Sequence, residues 1–249
     1  MSQPVMLITG ASRGIGAATA ILAARQGYRV VINYRSQAQA AAAVLAEVQA
    51  AGQDGCCIQA DVAEEEQVLQ LFAELDRRYG RLDVLVNNAG ILETQMPLLE
   101  MSLARWQRVM AANVYGTFLC SREAIKRMAL SRGGQGGAIV NVSSLAARLG
   151  APGEYIDYAA AKGAVDTMTV GLAKECAAER IRVNGVRPGF IYTDIHASGG
   201  EPGRVDRVKT AVPMQRGGQP EEVAEAILWL ASAKASYTSG SFIEVAGGR

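Results

Sequence analysis

A chain of 249 residues is long enough to bury one sizeable core. With 49% apolar and 20% charged residues, and 25 basic against 24 acidic side chains, it is neither a disordered chain nor one with the basic excess of a nucleic-acid binder. The start MSQPVMLITG lacks the basic and apolar regions of a secretory leader, and no stretch approaches the roughly 20 apolar residues of a membrane span, so a cytoplasmic protein free of membrane is expected.

Residues 5–9 form the first strand-like run, and helical periodicity follows over about 15–26. Further strand-like runs fall at 29–33, 56–59, 84–86, 138–142, 182–186 and 242–245. Helical stretches fall at about 37–51, 64–79, 102–130, 155–178 and 220–232. Gly27, Gly52, Gly80 and the glycines of 133–137 stand where helices should end, and Asp61 and Pro220 stand near helix starts. Several strands are continuous Val/Ile/Leu, the pattern of a sheet covered on both faces. The alternation predicts a single α/β domain over 1–249. Its core is a doubly wound, seven-stranded, mainly parallel sheet with helices on both faces, whose ligand site lies beyond the carboxyl ends of the strands.

The first strand runs into TGASRGIG, which is G-x-x-x-G-x-G over Gly10, Gly14 and Gly16. Bare backbone at a helix N-terminus lets unpaired N–H groups approach a phosphate. The ending lacks the G-K-[ST] of a nucleoside-triphosphate loop, and a glycine-rich turn serving only the backbone is the plain alternative. The cysteines are Cys56, Cys57, Cys120 and Cys176, with no C-x-x-C, a pattern of reduced thiols. With His196 the one histidine, no metal site is expected.

Tyr158 and Lys162 are four residues apart on a helical stretch, so both emerge on one face. A free phenol has a pKa of about 10, and a nearby ammonium lowers it toward working pH. Such a group can give or take the proton of carbonyl/alcohol interconversion, with the hydride left to a cofactor. Tyr155 has Ala159 four residues on and lacks such a partner; Asp157 is five residues before Lys162 and faces it poorly. A surface Tyr–Lys pair is the plain alternative. Ser143 and Ser144 end the strand before that helix, where a hydroxyl could bond a substrate oxygen or simply make a turn. Asn113, amid Met110, Val114 and Phe118, is disfavoured in mid-helix and asks for a partner if buried.

Taken together, Thr9-Gly10-x-x-x-Gly14-x-Gly16, Asp61-Val62, Asn87-Asn88-Ala89-Gly90, Asn113, Ser143-Ser144, Tyr158-x-x-x-Lys162 and Pro188-Gly189 with Thr193 resemble the short-chain dehydrogenase/reductase family in its compact branch. The resemblance spans nearly the whole chain and implies a Rossmann fold. It implies Tyr158 as acid/base, Lys162 tuning it and binding the nicotinamide ribose, Ser144 polarising the oxygen, and Asn113 extending a proton relay through water. The segment between Ser144 and Tyr158 is about one residue longer than the family's usual spacing, which leaves open whether Ser143 or Ser144 faces the substrate. The implied cofactor site has Gly10, Gly14 and Gly16 lining the pyrophosphate, with Ser12, Arg13 and Ile15 in the same loop; Asp61 at the adenine with Val62 beside it; and Gly90 letting the ribose approach, next to Ala89 and to Asn87 and Asn88, whose side chains are expected to pin neighbouring strands. Thr193 then holds the nicotinamide carboxamide, with Pro188, Gly189 and Ile191 in the same cofactor-binding segment. Asp61 could also cap the helix from residue 63.

An acid ending the second strand would select NAD, but VVINYRSQ has Tyr34 there, followed by Arg35, with Arg13 in the glycine loop. Guanidiniums suit a 2′-phosphate, so NADP(H) is preferred and NAD(H) possible. The expected function is NADP(H)-dependent interconversion of a carbonyl and a secondary alcohol. The alternatives are an NAD-dependent sugar or polyol dehydrogenase of the same family, and a non-catalytic NAD(P)-sensing protein. Residues 91–97, 145–155 and 190–213 form the expected substrate walls, the last a glycine-rich lid; Arg148 alone makes no basic rim, and His196 is a lesser candidate base. The partner is a small carbonyl or alcohol; relatives' habits imply a homo-oligomer, tetramer or dimer, through 102–130 and 155–178.

Overall fold

Runs such as VMLI and VLVN have no polar face to turn toward water. In the computed structural model, which describes residues 3–249, both are buried at every position in the middle of one sheet. Its strands are β1 (Val5–Ile8), β2 (Arg29–Tyr34), β3 (Gly55–Gln59), β4 (Val84–Asn87), β5 (Gly137–Val142), β6 (Ile181–Pro188) and β7 (Phe242–Val245). They lie in the order β3-β2-β1-β4-β5-β6-β7, and each neighbouring pair is parallel. The sheet is thus wholly parallel where the sequence predicts mainly parallel.

Helices α1 (Gly14–Arg25), α2 (Ala38–Ala50) and α10 (Pro220–Ala231) cover one face, burying Ala20, Val44 and Ile227 against Ile8, Val30 and Val140. On the other face lie α3 (Glu65–Tyr79), α5 (Gly116–Met128) and α7 (Ile156–Glu175), with Phe72, Met128 and Ala173 against Leu7, Leu85 and Val183. Phe72 has no exposed surface, so Phe72→Ala is expected to cost about 3–5 kcal/mol of stability in urea unfolding. From β1 the chain winds outward to β3, then returns across the sheet to β4. Strand order therefore reverses between β1 and β4, and the crevice beyond their carboxyl ends is where such sheets take ligands. Among the described residues no helix is long and apolar enough to cross a membrane.

Three local predictions differ from the structure. The helix expected over 102–130 is divided into α4 (Leu103–Met110), a π-helical turn over Ala111–Tyr115, and α5. The Asn113 side-chain amide takes the Val109 carbonyl at 2.9 Å, the acceptor that a regular helix gives to the backbone N–H four residues on. Gly116 then abuts Val62, whose Cγ2 would lie 2.7 Å from an added Cβ. Asp61 does not cap a helix: its Oδ1 accepts from Ala63 N at 3.0 Å, closing a turn, and α3 begins at Glu65. The segment 190–213, expected only as a glycine-rich lid, carries short helices: α8 (Ile195–Ser198), α9 (Arg204–Val208) and a 3-10 turn over Lys209–Ala211.

Candidate active site

The loops after β1 and β4 are stitched together at their bases. Thr9 Oγ1 accepts from Asn88 N and Ala89 N, both at 3.0 Å. Asn88 Nδ2 donates to Thr9 O at 2.9 Å and to Gly10 O at 3.1 Å, while Asn33 Oδ1 accepts from Gly10 N at 3.3 Å. Gly10 and Gly14 hold left-handed backbone, at φ +61° and +55°, which a side chain would strain. α1 opens at Gly14 with no side-chain cap on its first turn, so its N–H groups are left for an anion.

A cleft of about 740 Å³ runs from this loop past the ends of β4, β5 and β6. Of the residues predicted from sequence, it is lined by Gly10, Ser12, Arg13, Gly14 and Ile15; by Arg35, Asp61 and Val62; by Asn88, Ala89 and Gly90; by Ser144, Tyr158 and Lys162; and by Pro188, Gly189, Ile191 and Thr193. Gly16 and Asn113 do not line it. An added Cβ on Gly16 would lie 2.5 Å from Asn88 Nδ2 and 2.7 Å from Gly10 O, so bare backbone there lets α1 pack against the stitched loops and does not face a ligand. Gly90 also has a reason other than ribose access: an added Cβ would lie 2.5 Å from Asn113 Oδ1 and 3.5 Å from Lys162 Nζ. Thr193 packs over Gly14, its Cγ2 3.2 Å from where a Cβ would stand, so the loop after β6 folds back onto the glycine loop. Beside the glycine loop Arg13 is exposed, and Arg35 Nη1 stands 3.8 Å from Asp61 Oδ2 on the surface.

Around the middle of the cleft, the Ser144 hydroxyl stands beside the Tyr158 phenol. Ser144 Oγ also accepts from Ala146 N at 3.1 Å. Ser143 turns away: it is buried, and its hydroxyl donates to the Lys162 carbonyl at 3.3 Å. Lys162 Nζ donates to the Val142 carbonyl at 2.7 Å and sits 5.6 Å from the Tyr158 ring centre. Asn113 is fully buried; its Nδ2 donates to Ile91 O and Val109 O, and its Oδ1 has no partner. That oxygen and Lys162 Nζ both approach the bare face of Gly90.

Burial pushes the Tyr158 phenol up to about 12, with the Ser144 hydrogen bond pulling the other way. The spacing predicts a phenol acidified by its lysine, but in this geometry desolvation outweighs the lowering influences. Burial likewise pushes the Lys162 ammonium down to about 8, opposed by Asp166 one helical turn on. Asp157 does not draw on Lys162; it pairs with Arg105 at 2.7 Å.

One end of the cleft is bordered by the 190–213 segment. Tyr155 OH donates to Gly199 O at 3.1 Å, Gln95 Nε2 donates to Glu201 Oε2 at 2.7 Å, and Arg204, packed on the Tyr155 ring, pairs with Glu154. His196 lines the cleft, but its Nε2 is engaged with Ile191 O at 2.9 Å and its Nδ1 is buried without a partner. Burial also lowers its pKa, so it is poorly placed as the base. Arg148 pairs with Glu244 at 2.6 Å and does not form a free basic rim. Sequence reasoning misses Arg204 and Arg249, which reach the cleft from distant segments. It also misses the stitching by Thr9 and Asn33, although a buried asparagine within VVINY is a visible signal.

Comparison with known proteins gives the following. The family model described as enoyl-(acyl carrier protein) reductase matches residues 10–249. A protein of Escherichia coli named as an uncharacterized oxidoreductase, YgfF, is 60% identical over 245 residues, covering 98% of this chain and 99% of that one. A 3-oxoacyl-[acyl-carrier-protein] reductase of Synechocystis is 42% identical over 249 residues, covering 100% of this chain and 97% of that one. The crystal structure of a short-chain type dehydrogenase/reductase from Mycobacterium marinum aligns with a TM-score of 0.92 at 34% identity, covering 99% of this chain and 95% of that one.

Proposed function

Because the chain belongs to the short-chain dehydrogenase/reductase family, whose members act on CH–OH groups with nicotinamide cofactors, we propose that it reduces a carbonyl to a secondary alcohol with NADPH, Tyr158 giving the proton. The observation that carries this reading is the gathering of Tyr158, Ser144 and Lys162 in the same cleft as the bare glycine loop. The reduced nicotinamide, when bound, supplies the hydride. Tyr158 donates its proton to the substrate oxygen, and the Ser144 hydroxyl, whose oxygen accepts from Ala146 N, turns its own O–H toward the charge growing there. Lys162 and the partnerless Asn113 Oδ1 flank Gly90, an arrangement suited to a bridging water that returns protons to the phenol.

The residues fit a dinucleotide. The uncapped first turn of α1 and Gly10–Gly14 suit the pyrophosphate, and Thr193, Gly189, Pro188 and Ile191 suit the nicotinamide end. Tyr34 at the end of β2 supplies no carboxylate against a 2′-phosphate, while exposed Arg13 and Arg35 offer two guanidiniums to it. Arg35→Asp is therefore expected to raise KM for NADPH about tenfold or more while leaving KM for NADH within about twofold. Equal effects on the two would contradict the preference for NADPH.

The name of the Synechocystis relative makes 3-oxoacyl thioesters the first compounds to try. The test is a panel of these thioesters, simple ketones and sugar lactones with NADPH and NADH, followed by loss of the reduced-nicotinamide absorbance. Turnover with no member of the panel would remove the reductase reading. The exposed aromatic face made by Tyr115 and Phe118, beside Met168, supports assembly as a homo-oligomer.

A further inference from the structure

Arg105 and Asp157 form an ion pair closed off from water, their side chains 4% and 1% exposed. Arg105 Nε lies 2.7 Å from Asp157 Oδ2, Nη2 lies 3.4 Å from Oδ1, and Nη1 donates to the Thr94 carbonyl. Asp157 Oδ1 also accepts the backbone N–H of Tyr158 at 2.9 Å. One guanidinium thus joins α4, the 91–97 wall and the first turn of the helix that carries Tyr158. The wall in turn meets the lid: Gly200 packs on Thr94, and Gln95 bonds Glu201. Neither Arg105 nor Asp157 lines the cleft, so neither touches substrate.

Stability does not account for such a pair. Two charges out of water cost more than an apolar pair of similar shape, which stabilises a core at least as well. The guanidinium fork does what an apolar pair does not: it fixes the distance and angle between three separate segments. Resting on the reductase reading above, we infer that Arg105 and Asp157 are positioning residues that hold the Tyr158 proton donor in register with the substrate wall. The cofactor loops lie outside this contact.

The test compares the parent enzyme with Arg105→Met/Asp157→Leu and with Arg105→Lys, using a carbonyl substrate that the parent reduces. The apolar double variant leaves the Thr94 carbonyl and the Tyr158 N–H without these partners, so it is expected to melt a few degrees below the parent and to bind NADPH as tightly, yet to lose about tenfold in kcat, because small misplacement of reacting groups is costly. Arg105→Lys keeps the charge but loses the fork, and is expected to lose kcat by a smaller factor, with NADPH affinity unchanged. Crystal structures of the variants give a readout independent of turnover: the Tyr158–Ser144 hydroxyl contact should lengthen. Parental kcat in the double variant or in Arg105→Lys, or an unmoved contact, would overturn the inference. A parent that reduces no carbonyl with either nicotinamide would sink the reductase reading instead, and the hydroxyl contact would still decide the clamp.

Discussion

Tyr158→Phe is expected to lower kcat for carbonyl reduction by about 10²–10⁴-fold, the usual worth of a positioned proton donor. Folding should survive, since the ring and its packing remain and the change costs one hydrogen bond to Ser144. NADPH affinity should be near parental. Burial holds this phenol up at about 12, so it is protonated throughout the neutral range. That is the form needed to protonate an alkoxide as it develops, and the wrong form to accept a proton from an alcohol. Tyr155→Phe is the matched control: its hydroxyl is spent on Gly199 O, so its loss should loosen the lid and change KM by a few-fold with little change in kcat. Equal losses of kcat in the two variants would show that Tyr158 is not the proton donor.

What could be read from the sequence follows from which signals are local. The glycine loop and the Tyr158/Lys162 spacing are local: backbone freedom and the 3.6-residue turn fix their consequences wherever the segment folds. The strand and helix alternation is local too, and it yields the parallel doubly wound sheet. Asn113 stands out as a misfit, but the π-helical turn around it depends on two carbonyls, one of them Ile91 O from a different loop. Arg105 and Asp157 are far apart in the chain, and nothing in either segment's periodicity names the other as partner. The Tyr158 titration is the clearest case. Spacing identifies the lysine as a neighbour, yet the sign of the shift is set by how deeply the surrounding chain buries the phenol, which spacing does not encode. Ser143 and Ser144 differ only in which way the chain turns after β5, and the backbone carbonyl of Lys162 decides it by taking Ser143.

Lys162→Met should separate activity from stability. The ammonium sits in a buried site with one hydrogen bond, to Val142 O, and desolvation pushes its pKa from 10.5 down to about 8. Reduction needs Tyr158 protonated and Lys162 charged. For the free enzyme kcat/KM should be level below about pH 8 and fall about tenfold per pH unit above it. The methionine variant should lose about 10²-fold or more in kcat below about pH 8, and the gap should narrow above it as the parent's lysine loses its charge. Stability should move the other way. The unfolded chain binds the lysine proton more tightly than the fold does, so the parent gains stability as pH rises from about 8 to 10.5 and carries the full cost of the buried charge below 8. That cost is of the order of 3 kcal/mol, offset in the variant by about 1–2 kcal/mol for leaving the Val142 carbonyl unpaired. Below pH 8 the variant should therefore melt above the parent by about 2–8 °C, and the advantage should shrink as pH climbs toward 10.5. A variant that melts below the parent while keeping turnover would mean that Lys162 is a structural residue. The proton donor would then have to be supported by something other than its neighbouring ammonium.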